Sequence, residues 1–205
     1  MKMGSVFLSG FGISAGLIMA IGAQNAHVLR QGLRREHVGT TILVCAICDA
    51  LLILLGVVGL GKVFSANPDW MTIARYGGAA FLGWYGLRAL RAALKGESMK
   101  VDANDGTRRI TRTQALLAAA GFSLLNPHAY LDTVVLIGSV GSQQADALRP
   151  IFAAGAVTAS FVWFGLLGYG ARMLTPVFSR PLAWRILDGL VAAMLWSIAA
   201  MLILH

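Results

Sequence analysis

Three carboxylates stand where an apolar sequence leaves little to support them. Of nine acidic residues, Glu36, Asp69, Glu97, Asp102, Asp105 and Asp146 fall in polar stretches, whereas Asp49, Asp132 and Asp188 lie inside long apolar segments. A carboxylate withdrawn from water can bind a cation, accept a proton or pair with a buried arginine. Asp49 is the clearest case, because it is the single charge between His37 and Lys62. An acid at the centre of a membrane helix costs about +2.5 to +3.5 kcal/mol on insertion scales. A polar pathway offsets that cost and lipid does not. Asp188 follows Arg185 by three residues, so a local ion pair competes with a site role there. Asp132 lies four residues beyond His128, on one helical face.

Amides, hydroxyls and imidazoles cluster in two of the same apolar segments. The first carries Gly22-Ala23-Gln24-Asn25-Ala26-His27, and another carries Ser123, Asn126-Pro127-His128 and Tyr130. Proline removes a backbone donor and clashes with the preceding turn, so a helix is expected to break at Pro127 and free the carbonyls near Ser123 and Leu124 as ligands. Irregular backbone at membrane depth is tolerated only where it lines a cavity or is buried in protein. The plainer alternative is a kink satisfied by a neighbouring serine, with Asn126 capping the second half-helix. His27 and His128 could relay protons, since imidazole titrates near neutrality, although a buried histidine is more often structural. The candidate pathway is therefore Gln24, Asn25, Asp49, Asn126, Asp132 and Asp188, with His27, Ser123, His128 and Tyr130 as secondary candidates. Cys45-x-x-Cys48-Asp49 puts two thiols and a carboxylate almost on one face, which is soft-metal chemistry. Without a second thiol pair the cysteines read better as small packing residues, and neither a metal nor a cofactor is expected.

Membrane helices must position these groups. The 205 residues are 57% hydrophobic and 13% charged, with a mean hydropathy of +0.70, outside the range of soluble domains. Charge-free runs cover 3–29, 38–61 apart from Asp49, 113–131 and 150–171. Each is near the roughly 20 residues that cross a hydrocarbon core of about 30 Å. Weaker spans at about 71–94 and 184–204 bring the expectation to an all-α membrane protein of six transmembrane helices. Nothing remains for a soluble domain, and the first 25 residues do not read as a cleaved signal. Of 17 basic residues, all but Lys2, Lys62, Arg75 and Arg149 fall on one side of such a bundle. By the positive-inside rule that side is cytoplasmic and both termini face outward.

The two halves resemble each other. GVVGLG at 56–61 recurs as GLLGYG at 165–170, and Asn-Ala-His at 25–27 recurs as Asn-Pro-His at 126–128. Three spans, a basic cytoplasmic loop at 95–112 and three similar spans make a 3+3 inverted repeat, with broken first and fourth helices and a site near the midplane. The single transmembrane transporter domain then covers 1–205, with halves of about 1–94 and 113–205. The net charge of +8 sits in flanks of apolar segments, which argues for orientation charges and membrane lipid rather than nucleic acid. No GxxxxGK[ST] is present, so ATP drive by this polypeptide is excluded. No nucleophile with a nearby base stands at plausible depth, so the chain is not expected to be an enzyme.

At GAQNAHVLRQGLRR (22–35), CDALLI (48–53), GWYGLRALRAAL (83–94), LNPHAYLDTVVLIGSVG (125–141) and WRILDG (184–189), the chain resembles the LysE/ArgO family of basic amino-acid exporters along essentially its whole length. Related exporters carry Gly-Pro where this chain has Gly22-Ala23, so no proline enforces a break in the first span. The resemblance implies a bacterial inner membrane, six helices and outward transport of L-lysine or L-arginine. By matching blocks it points to Asn25, Asp49, Asn126, Asp132 and Asp188. Cationic side chains suit the three carboxylates, and the substrate's own carboxylate suits donors near Asn25 and Asn126. Protons are the expected coupling ion, in exchange for the amino acid, and self-association into a homo-oligomer stays open. Efflux of a divalent or soft metal through Cys45, Cys48 and Asp49 is the alternative, and a membrane scaffold without transport is the second.

Overall fold

Apolar side chains face outward and polar ones inward along the most hydrophobic helix, the reverse of a soluble fold. This helix, α3 (Val38–Val57), exposes Leu43, Ile47, Leu51 and Leu54 while burying Thr41, Cys45, Cys48 and Asp49. Only a hydrocarbon solvent makes that arrangement favourable, because water would drive the leucines inward. The computed structural model describes residues 3–19, 22–58, 68–95, 110–125, 129–176, 178 and 181–204. Among them every regular element is helical. Before α3 come α1 (Met3–Ile18) and α2 (Ala23–Arg34). After it come α4 (Pro68–Lys95) and α5 (Arg112–Leu124). A π-helical stretch, Tyr130–Ile137, runs into α6 (Gly138–Ser142). Then follow α7 (Arg149–Gly170), extended by a 3-10 turn over Ala171–Leu174, and α8 (Pro181–Leu204).

Among the described residues three helices are long and apolar enough to cross a membrane: Val38–Val57, Arg149–Leu174 and Leu182–Leu204. The bent pair α1 and α2, whose axes differ by 82°, makes a fourth if taken as one span. No proline stands between these two helices. Gly22, in extended conformation, sits before α2 and offers no side chain to cap it. The last turn of α1 recovers a partner from afar, since Asn25 Nδ2 donates to the Ile18 carbonyl at 2.7 Å. In the second half, α5 ends at Leu124 and regular structure resumes at Tyr130. Asn126, Pro127 and His128, which carry the expected break, lie outside the described residues, as do 59–61 of the glycine motif and 96–109 of the polar loop.

Local chemistry explains the other helix ends. A capping box starts α5, with the Thr111 hydroxyl accepting from Gln114 N at 3.2 Å and Gln114 Oε1 accepting from Thr111 N at 3.1 Å. Arg35 and His37 take left-handed φ values of 56° and 48° in the tight turn between α2 and α3. His37 Nε2 reaches the Ile110 carbonyl at 3.0 Å. Glycines allow backbones to touch, as lipid-embedded helices require. A Cβ at Gly10 of α1 would sit 2.1 Å from the Phe152 carbonyl of α7, and one at Gly155 of α7 2.1 Å from the Phe7 carbonyl. Ser14 fastens the same crossing by donating to the Ala156 carbonyl at 3.0 Å. One apolar cluster joins α2, α4, α5 and α8 through Ala26, Leu82, Phe122 and Leu195. A second joins α2, α3, α5 and α7 through Val28, Cys45, Ala119 and Phe164.

Candidate functional site

Cys45, Cys48, Asp49 and Leu52 recur at helical spacing, so they share the face of α3 that points inward. That spacing carries the Asp49 carboxylate into the bundle, where it is 2% exposed. The break before α2 brings Gln24 to meet it. Gln24 Nε2 donates to Asp49 Oδ1 at 3.2 Å and to Ser123 Oγ at 3.0 Å. Ser123 in turn donates to the Ala119 carbonyl one turn back in α5, at 2.9 Å. Three candidates from three helices therefore form one hydrogen-bonded chain. A fourth helix adds Ser160 of α7 near Asp49, its buried hydroxyl without a hydrogen-bond partner among the described residues.

Asp49 forms no ion pair among the described residues. A carboxylate accepts about four hydrogen bonds, and Gln24 supplies one. Gln24, which makes that contact, stands in the first turn of α2, which holds no acid and no side-chain cap. The group that results is a buried acid with spare acceptor capacity, able to take a proton or a small cation.

The remaining candidates have other surroundings. Asn25 is 8% exposed, and besides its bond to Ile18 it accepts from Trp163 Nε1 at 3.2 Å. Its amide ties the break to α7. Tyr130 spans the second interruption, donating from its hydroxyl to the Leu124 carbonyl at 2.8 Å. One of the carbonyls expected to be free is thereby occupied. Asp132 is half-buried in the π-helical stretch that follows. Such a stretch re-aims side chains and often marks functional sites.

Asp188 pairs with Arg30 of α2, 3.2 Å away, rather than with Arg185. Arg185 instead donates to the Ala93 carbonyl of α4. His27 packs its ring on Phe122, with centroids 4.7 Å apart. Cys45 and Cys48 are free and buried beside the cluster. Among the described residues no three His, Cys, Asp or Glu side chains converge as metal ligands.

Sequence reading found Gln24, Asp49 and Ser123 as polar groups within apolar runs. It missed Ser160 and Trp163, whose one signal was a polar atom in a charge-free segment. Arg30 was read only as an orientation charge.

Comparison with known proteins places this sequence in a family. The LysE type translocator family matches residues 15–205. A protein of Aeromonas salmonicida named as an amino-acid transporter, YggA, is 40% identical over 195 residues, covering 95% of this chain and 94% of the relative. The arginine exporter protein ArgO of Yersinia enterocolitica is 40% identical over the same length and coverage. A Mycobacterium tuberculosis protein, also named as an amino-acid transporter, is 45% identical over 187 residues, or 91% of each chain. No solved structure matches. With the family matched over nearly its full length and its helices built for lipid, the chain belongs to the LysE type translocators, as a multi-pass membrane transporter and not an enzyme.

Proposed function

We propose that the chain is a secondary exporter of basic amino acids, L-arginine or L-lysine, from the cytoplasm across a bacterial inner membrane in exchange for protons. The observation that carries this reading is the buried Asp49 carboxylate, without an ion pair among the described residues and held by Gln24 at the start of α2. The arginine exporter among its relatives supports the substrate class. Moving one positive charge out of a negative-inside cell costs about 2.3 kcal/mol per 100 mV. One proton entering for each monovalent cation leaving cancels that cost. A single carboxylate that holds either the cation or the proton, never both, enforces this one-for-one exchange.

The packing supports a six-span, 3+3 inverted repeat. In such a repeat the first span meets the fifth as the fourth meets the second, while the third and sixth meet each other. Here α1 and α2 pack on α7, α5 and the π-helical stretch pack on α3, and α4 packs on α8. The glycine crossings repeat the pattern. Gly32 of α2 abuts Gly168 of α7, and Gly138 of α6 abuts Gly56 of α3. Both termini face the periplasm, and the basic loop at 95–112 faces the cytoplasm.

Everted vesicles containing the protein test the proposal. Uptake of labelled arginine or lysine should rise when the lumen is acidified and fall when the pH gradient is collapsed. Uptake of both amino acids equal to that of empty-vector vesicles would refute it.

A further inference from the structure

A small, largely apolar cavity with two polar side chains in its wall lies beyond the Asp49 cluster. A cavity of about 20 Å³ opens between α2, α4, α5 and α8, with His27, Arg30, Tyr85 and Phe122 in its wall. One water needs about 10–15 Å³, so this space admits one or two water-sized groups, the size of a carboxylate head. His27 and Arg30 stand three residues apart on one face of α2. His27 Nε2 and Arg30 Nε are both buried without a hydrogen-bond partner among the described residues, and His27 is 8% exposed. Each unmet polar atom costs about 1–3 kcal/mol; both residues line one cavity, and an anion there would give the Arg30 donor, and His27 in its Nε2–H tautomer, a partner within a small side-chain shift.

The charges ask for the same thing. Arg30 feels the guanidinium groups of Arg34 and Arg88, against the single carboxylate of Asp188. Asp188 Oδ1 lies 3.2 Å from Arg30 Nη2 and has no well-aligned hydrogen bond among the described residues. Three cations facing one loosely held acid leave room for another anion. Asn25, the other donor on this helix suited to a substrate carboxylate, already serves Ile18.

We infer that this cavity is a carboxylate subsite. Resting on the export reading above, it takes the α-carboxylate of the departing amino acid, with Arg30 exchanging Asp188 for the ligand and His27 Nε2 donating when it carries the proton. Arg30 lies six residues, roughly 9 Å, along α2 from Gln24. The cytoplasmic end of the path therefore grips the carboxylate, and the centre receives the cation.

The test compares L-arginine with agmatine, which keeps the guanidinium but lacks the carboxylate. Both compete against labelled arginine transport in proteoliposomes. The wild type should prefer arginine by about tenfold or more, the value of a charged hydrogen bond. His27→Phe, and separately the paired change Arg30→Gln with Asp188→Asn, should compress that preference to about twofold, chiefly through weaker competition by arginine. The paired change leaves no buried acid alone, and His27→Phe keeps a ring against Phe122, so each guards against misfolding of the other. Undiminished preference in either folded variant overturns the subsite. A wild type that carries arginine yet does not distinguish agmatine also overturns it, and leaves the export reading standing. A wild type that carries neither arginine nor lysine overturns the export reading itself.

Discussion

Replacing Gln24 with leucine removes both donors that organise the central cluster. The bond to Asp49 ends on a carboxylate and is worth about 1.5–3 kcal/mol, and the bond to Ser123 joins neutral groups at about 0.5–1.5 kcal/mol. Leucine has similar volume and recovers part of this through apolar burial, so a net loss of about 1–3 kcal/mol is expected. Asp49→Asn keeps an acceptor for Gln24 but removes the charge. In that background Gln24→Leu should cost about 1 kcal/mol less than alone, giving a coupling energy of about 1 kcal/mol or more. Reversible unfolding of the detergent-solubilised protein, wild type with the two single variants and the double, measures it at alkaline pH, where the carboxylate is ionised. Effects that add to within about 0.5 kcal/mol, the behaviour of independent sites, would refute a direct Gln24–Asp49 interaction.

Other perturbations reach the frame around the cluster. Gly155→Val puts a Cβ 2.1 Å from the Phe7 carbonyl, so α1 and α7 must separate by about 1 Å; overpacking of this kind costs about 1–3 kcal/mol. Thermal unfolding should show that loss, whereas valine at Gly165, which has open space around it, should be tolerated. Cys45→Ser and Cys48→Ser should preserve arginine export to within about threefold, read as protection of cells against canavanine, and loss of export in either would favour the metal alternative. Tyr130→Phe deletes the bond to the Leu124 carbonyl and should lower stability by about 0.5–1.5 kcal/mol, with faster hydrogen exchange around residues 124–130.

Legibility from the sequence depended on the range of each interaction. Asp49 stood out because cost and position are both local properties: one acid, no neighbouring charge, a span of known length. Gln24 and Ser123 were legible for the same reason, but their meeting across 99 residues was not. Composition shows that a polar group needs a partner without showing which. Asp188 makes the point most clearly. Helical spacing offered Arg185, yet α8 turns that side chain toward α4 and presents Asp188 to Arg30, 158 positions away in the chain. The break in the first span was expected from its polar residues even without a proline. Its closure by Asn25 and Trp163 was not, because indoles in apolar runs serve packing as often as hydrogen bonding.

The exchange at Asp49 is tested most directly by counting protons. Purified protein in proteoliposomes, given an outward arginine gradient at zero membrane potential, should move one proton inward for each arginine released. Asp49→Asn should abolish both fluxes. Arginine efflux from the variant at the wild-type rate, with or without proton movement, would contradict the account.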